Sequence, residues 1–97
     1  MFQILKHLKY NMTFRKIYVD IDVKWSANGT FTPIAIYWKS AIDDEEERYE
    51  IDAILEGPIR HMCYSGGVGN RYTIKIGKAK RYLFFGDDKK WFIESNK

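Results

Sequence analysis

Apolar and polar residues alternate strictly over residues 15–25, with Ile17, Val19, Ile21, Val23 and Trp25 on one side and Lys16, Tyr18, Asp20, Asp22 and Lys24 on the other. A period of two predicts a half-buried strand with one wet face. Asn28-Gly29 follows at once, a dipeptide that accepts positive φ and so marks a hairpin turn. Residues 31–39 form the second predicted strand, with Ile34, Ile36 and Trp38 sharing a face. Pro33 has no N–H to give to a neighbour, which places it at an edge or a bulge. Alternation resumes through Tyr49, Ile51, Ala53 and Leu55, a third strand that Gly57-Pro58 is expected to end. Residues 59–64 suit a fourth. Beyond the glycine-rich loop at 66–69, Tyr72, Ile74 and Ile76 share a face. Residues 81–85 and 91–95 read as two further strands, parted by turn chemistry at 77–80 and 86–90.

About six short antiparallel strands at this spacing predict an all-β fold, a single small β-barrel or half-open roll. An SH3-like barrel suits the chain length best, with an OB-like barrel as the alternative. Residues 1–12 read as an N-terminal extension, because Phe2, Leu5, Leu8 and Met12 recur at helical spacing. A helix of that length is marginal alone, so the segment is expected to be frayed or weakly docked. Residues 13–97 are expected to form the one domain.

Charge changes this picture more than composition does. The chain has 97 residues and a formal net charge of +3. Residues 40–57 carry −7, against +4 before them and +6 after them. One acidic segment therefore stands between two basic ones. Five consecutive acids, Asp43, Asp44, Glu45, Glu46 and Glu47, are expected in a solvated loop or a hairpin tip, because like charges resist burial together. Cys63 is the single cysteine, which excludes an intramolecular disulfide and multi-cysteine zinc sites. No apolar run approaches the ~20 residues a spanning helix needs. The expectation is a cytoplasmic protein with no membrane partner, no cofactor and no metal.

The ordered motifs Pro33-x-x-Ile36-x-Trp38, Tyr49-x-Ile51-Asp52-x-x-Leu55 and Gly66-Gly67-x-Gly69-x-x-Tyr72-Thr73 continue into Tyr82-Leu83-Phe84-Phe85 and Trp91-Phe92-x-Glu94. In this combination, over residues 15–94, the chain resembles a functionally uncharacterised family of short bacterial proteins of Firmicute type. It is more loosely similar to small domains encoded beside translesion DNA polymerases. The resemblance brings no catalytic residues with it. The acidic run and the N-terminal extension depart from the family pattern.

Several groups invite a chemical reading. The glycines at 66, 67 and 69 would let backbone N–H groups approach a phosphate, but such loops normally lead into a helix and this one leads into a strand. A turn needing positive φ is the favoured reading. His61 and Cys63 could pair as base and nucleophile, but no orienting group or oxyanion donor is evident, and Cys63 reads as a small buried hydrophobe. Asp52 interrupts an apolar stretch and is expected to bond a turn or an arginine. No calcium-loop spacing marks the acids. Arg71, Lys75, Lys78, Lys80 and Arg81 are interleaved with Tyr72 and Tyr82. A basic strand face beside aromatic rings suits a nucleic-acid backbone with stacked bases. Two functions follow as expectations: a non-enzymatic module binding nucleic acid weakly and without sequence preference, or a protein-interaction or self-associating adaptor using the acidic loop or a free strand edge.

Overall fold

The computed structural model describes residues 14–39, 42 and 44–95, and among them it contains eight strands and no helix. The expected N-terminal helix over residues 1–12 lies outside the described residues. The strands are β1 (Arg15–Tyr18), β2 (Asp20–Trp25), β3 (Phe31–Lys39), β4 (Glu46–Glu50), β5 (Ala53–Met62), β6 (Val68–Ile76), β7 (Ala79–Gly86) and β8 (Trp91–Ser95). They form two antiparallel sheets, ordered β1-β8-β7-β6-β5 and β2-β3-β4.

Two of the predicted strands turn out to serve both sheets. Residues 15–25 divide at Val19: Tyr18 pairs with Phe92 of β8, the Val19 N–H still bonds the Trp91 carbonyl, and Asp20 already pairs with Tyr37 of β3. The second crossing is sharper. Ile51 gives its N–H to Ile34 in the small sheet, and the next residue, Asp52, gives its own to Lys75 in the large one. The N–H groups of Val19, Ile51 and Asp52 thus keep backbone partners as the chain changes sheet. The first crossing divides the expected strand over residues 15–25 into β1 and β2, and the second divides the expected strand over residues 49–55 between β4 and β5.

The sheets close on a core of Ile36, Tyr72, Ile74 and Leu83, against which Val19, Ile21, Ile51, Ile54, Ile76, Phe85, Trp91 and Ile93 pack. Ile74 and Leu83 are fully buried; burial of side chains this size is worth ~1.5–3 kcal/mol each. Ile34, expected on the same face as Ile36, is exposed instead, and Pro33 and Ala35 are buried. The register irregularity between Asp22 and Val23 lies opposite Pro33, so the bulge expected there is present. A second cluster, Cys63, Phe84 and Phe92, sits on the outer face of the large sheet. The register sets Leu83 against Tyr72 and Phe84 against Arg71, so β7 is buried on both sides.

Gly57-Pro58 does not end a strand. It lies within β5, where the register against β6 shifts between Glu56 and Ile59. β5 is an edge strand, and a residue with no N–H is tolerated where no further strand needs one. The expected third and fourth strands thus merge there, and the first of them begins earlier, at Glu46. The turn expected over 77–80 shrinks to Gly77-Lys78, because Ile76 already pairs with Ala79. Gly77, at φ 59°, takes the first turn position, where a two-residue hairpin of this kind calls for glycine.

Three hairpin ends share one hydrogen-bond pattern. Ser26 bonds Thr30, Cys63 bonds Gly67 and Gly86 bonds Lys90, each by N–H to carbonyl, with an inner bond from Gly29, Gly66 and Lys89 respectively. The inner residue has positive φ in all three: 87° at Gly29, 107° at Gly66 and 68° at Lys89. Only the last carries a Cβ, which costs ~1–2 kcal/mol in that region. Lys89→Gly is therefore expected to stabilise the fold by about 1 kcal/mol, a rise of roughly 4–8 °C in Tm on thermal denaturation. An unchanged or lower Tm would contradict the strain assigned to Lys89.

Candidate nucleic-acid interface

The outer face of the large sheet gathers most of the predicted basic residues. Lys75 and Lys80 are directly opposite in the β6–β7 pairing, with Thr73 opposite Tyr82 and Arg71 opposite Phe84. Lys78 sits at the tip of the same hairpin. Lys75, Lys78 and Lys80 are exposed, and none has an ion-pair partner among the described residues. Arg71 is half-buried, its guanidinium 4.6 Å from the Tyr82 ring centroid and 3.5 Å from Glu56. The Tyr82 ring, 46% exposed, is thus held from one side by a cation.

Arg81 departs from the expectation. Alternation along β7 turns it to the inner face, opposite the buried Ile74, at the open end of the sheet. There it lines a cleft with Trp38, Tyr49 and Ile93 and donates to the Lys80 carbonyl at 3.1 Å. The predicted basic set is therefore split: Arg71, Lys75 and Lys80 share a face, Lys78 caps their hairpin, and Arg81 stands at an inward position beside the β7–β8 gap, which it borders with Lys80 and Tyr82.

Lower on the outer face a polar network ties the glycine hairpin down. Glu94 accepts from the N–H and the hydroxyl of Ser65, both at 2.6 Å, and Lys16 donates to the Ser65 hydroxyl at 3.0 Å and the Gly66 carbonyl at 2.6 Å. The Lys16 ammonium also lies 5.0 Å from the Phe92 ring centroid. Gly66 and Gly67 both have positive φ with open space where a Cβ would stand. Turn conformation therefore accounts for them, as expected. Sequence reasoning missed Lys16 and Glu94; the alternation Phe92, Glu94 placed both on one face but gave no sign of Ser65.

Cys63 and His61 do not form a pair. The thiol is buried with Phe84 and Phe92, while the His61 ring lies 2.7 Å from the Met62 carbonyl oxygen. Burial, reinforced by the negative charge of Glu94, pushes the Cys63 thiol above its ordinary pKa, so it is held as the unreactive protonated form. Asp52 takes the structural role expected of it, accepting from the Gly77 N–H at 2.6 Å and so anchoring the basic hairpin. Among the described residues, no three His, Cys, Asp or Glu side chains stand close enough to share a metal ion.

The outer face of the small sheet is of mixed charge. Asp20, Asp22, Glu46 and Glu50 share that face with Lys24, Lys39 and Arg48, by register. A hydrogen bond from Arg48 and a second from the Tyr37 hydroxyl hold the Asp22 carboxyl below its usual range. Arg60 does the same for Asp87. Carboxylates depressed in this way support the fold above their unfolded pKa and lose that contribution as pH falls through the folded value. Of the five consecutive acids, Glu46 and Glu47 open β4 instead of staying in the loop, and Asp44 lies 3.6 Å from Lys39. Asp44 to Glu47 thus belong to the β3–β4 hairpin and not to the large sheet.

No protein-family model, curated protein or solved structure matches the chain.

Proposed function

We propose that this protein is a non-enzymatic binding module that contacts single-stranded nucleic acid, weakly and without sequence preference, through the outer face of its large sheet. The observation that carries this reading is the cross-strand pair Lys75–Lys80, without an ion-pair partner among the described residues and beside the exposed Tyr82. Like charges placed directly opposite destabilise a sheet, and a phosphate bridging the two ammonium groups removes that cost. A neighbouring aromatic ring adds a stacking platform that accepts any base. The two sheet-changing corners join the ends of the sheets into a ring of six strand paths, and we read the fold as a small half-open β-barrel of the SH3-like or OB-like kind.

Titration of a labelled single-stranded oligonucleotide at ~50 mM salt tests this, since backbone contacts fade as salt rises. The expected result is weak binding whose logarithmic salt slope is near −0.7 per phosphate neutralised and which changes little with sequence. No binding at protein concentrations up to ~100 μM, the range of weak non-specific complexes, overturns the reading.

A second reading rests on β5. This edge strand leaves Leu55 53% and Met62 77% exposed, with Ile59 and Val68 nearby in the same hairpin. An apolar edge suits a protein partner or a second copy, although the bulge at Gly57-Pro58 interrupts the row of backbone groups such pairing needs. Sedimentation of the free chain separates the two: a monomer that binds oligonucleotide supports the first, a dimer indifferent to it the second.

A further inference from the structure

We infer that the inner end of the two sheets is a site for a small carboxylate with an apolar body, held by Arg81. β7 and β8 pair only through Phe84–Phe92 and Phe85–Trp91. The remainder of the two strands bounds a wedge whose inner part is a cleft of about 320 Å³ lined by Ile36, Trp38, Tyr49, Ile76, Ala79, Arg81 and Ile93. That volume is at the small end of ligand-binding cavities, and its lining has their usual make-up: apolar and aromatic walls with few polar groups.

The charge fixes the ligand class. Arg81 is the one charged residue of the lining, and among the described residues its guanidinium makes no ion pair. Among the described residues it donates to the carbonyl of the adjacent Lys80, and the guanidinium has five donors in all. A planar fork at the rim of an apolar cleft matches a carboxylate by paired N–H···O bonds, while the ligand's hydrocarbon displaces water from Trp38, Tyr49 and Ile93. A neutral chain of equal length gains only the second of these. A nucleotide is a poor fit, because a polyanion would meet a single cation there.

This site does not rest on the nucleic-acid reading, although Arg81 also borders the outer side of the same gap with Lys80 and Tyr82. The test is titration of the full chain with octanoate and, in parallel, 1-octanol, followed by resonances of the Trp38 indole and the Tyr49 ring. Octanoate is expected to shift both saturably, at least tenfold more tightly than octanol. Arg81→Gln, an exposed change expected to leave the fold intact, should erase that preference. Ala79→Phe should fill the cleft and block both probes. A variant with Lys75, Lys78 and Lys80 changed to Gln should bind octanoate as the parent does, whatever the outcome with oligonucleotides. Equal binding of octanoate and octanol, undiminished octanoate binding by Arg81→Gln, or shifts confined to residues 1–13 or the β5 edge would overturn the inference.

Discussion

Replacing Gly57 by alanine is expected to destabilise the protein by about 2–5 kcal/mol, a large share of the ~5–15 kcal/mol that holds a domain of this kind together. Two causes add. Gly57 has φ 109°, a conformation that L side chains rarely adopt, and such strain is worth ~1–3 kcal/mol. A Cβ there would also collide with the Arg71 carbonyl oxygen and come within 3.0 Å of the Tyr72 Cα, both backbone atoms of β6 that move only if the sheet moves. Gly66→Ala is the internal control. Its φ is 107°, but nothing lies within 4 Å of the added carbon. Urea denaturation should show Gly57→Ala clearly less stable than Gly66→Ala. Equal losses would mean that β5 does not approach β6 as closely as described.

That close approach was not legible in the sequence, where Gly57-Pro58 reads as a stop. What decides is the strand's place at the sheet edge, and edge position is a property of the whole topology. The corners at Val19 and at Ile51-Asp52 were hidden for a related reason. At Val19 inner and outer residues keep alternating, so the period of two runs on while the hydrogen-bonding partner changes. At Ile51-Asp52 the phase slips instead: Ile51 and Ile54 both pack on the core, Ala53 pairs with the outward Lys75, and Leu55, expected inward with Tyr49 and Ile51, is exposed. By contrast, the pattern was a sound guide along β6. Tyr72, Ile74 and Ile76 face inward as their spacing indicates, and Asp52 binds a turn as a lone carboxylate in an apolar run should.

The basic site was half legible. Lys75 and Lys80 lie on one face because they are equidistant from the turn at Gly77-Lys78. Arg81 was misplaced by proximity along the chain, yet counting by twos from Leu83 and Phe85 puts it inward. The junction of Lys16, Ser65 and Glu94 joins three separate segments. Local pattern carries no trace of such a contact.

Changing Lys75, Lys78 and Lys80 together to Gln is expected to weaken single-stranded oligonucleotide binding on the order of 100-fold at ~50 mM salt, and to flatten the logarithmic salt slope by about 2. The estimate follows from three phosphate contacts at ~0.7 counterions each. All three side chains are exposed and outside the core, so thermal stability should hold or rise slightly as the Lys75–Lys80 repulsion is relieved. Arg71 is left in place because it supports Tyr82. Arg81→Gln should weaken oligonucleotide binding less than the triple change, since its register position opposite Ile74 is on the inner face. A triple variant that binds as the parent does would remove the outer face from the account.

The central claim is that the outer face of the large sheet meets nucleic acid with Tyr82 as its stacking platform, and aromatic-ring NMR of the chain titrated with a short oligothymidylate tests it most directly. A base stacked on that ring should shift the Tyr82 ring protons upfield, while the Tyr37 and Tyr49 rings of the small sheet stay where they are. Unmoved Tyr82 resonances at saturating oligonucleotide, or shifts centred on Tyr37 and Tyr49, would contradict it.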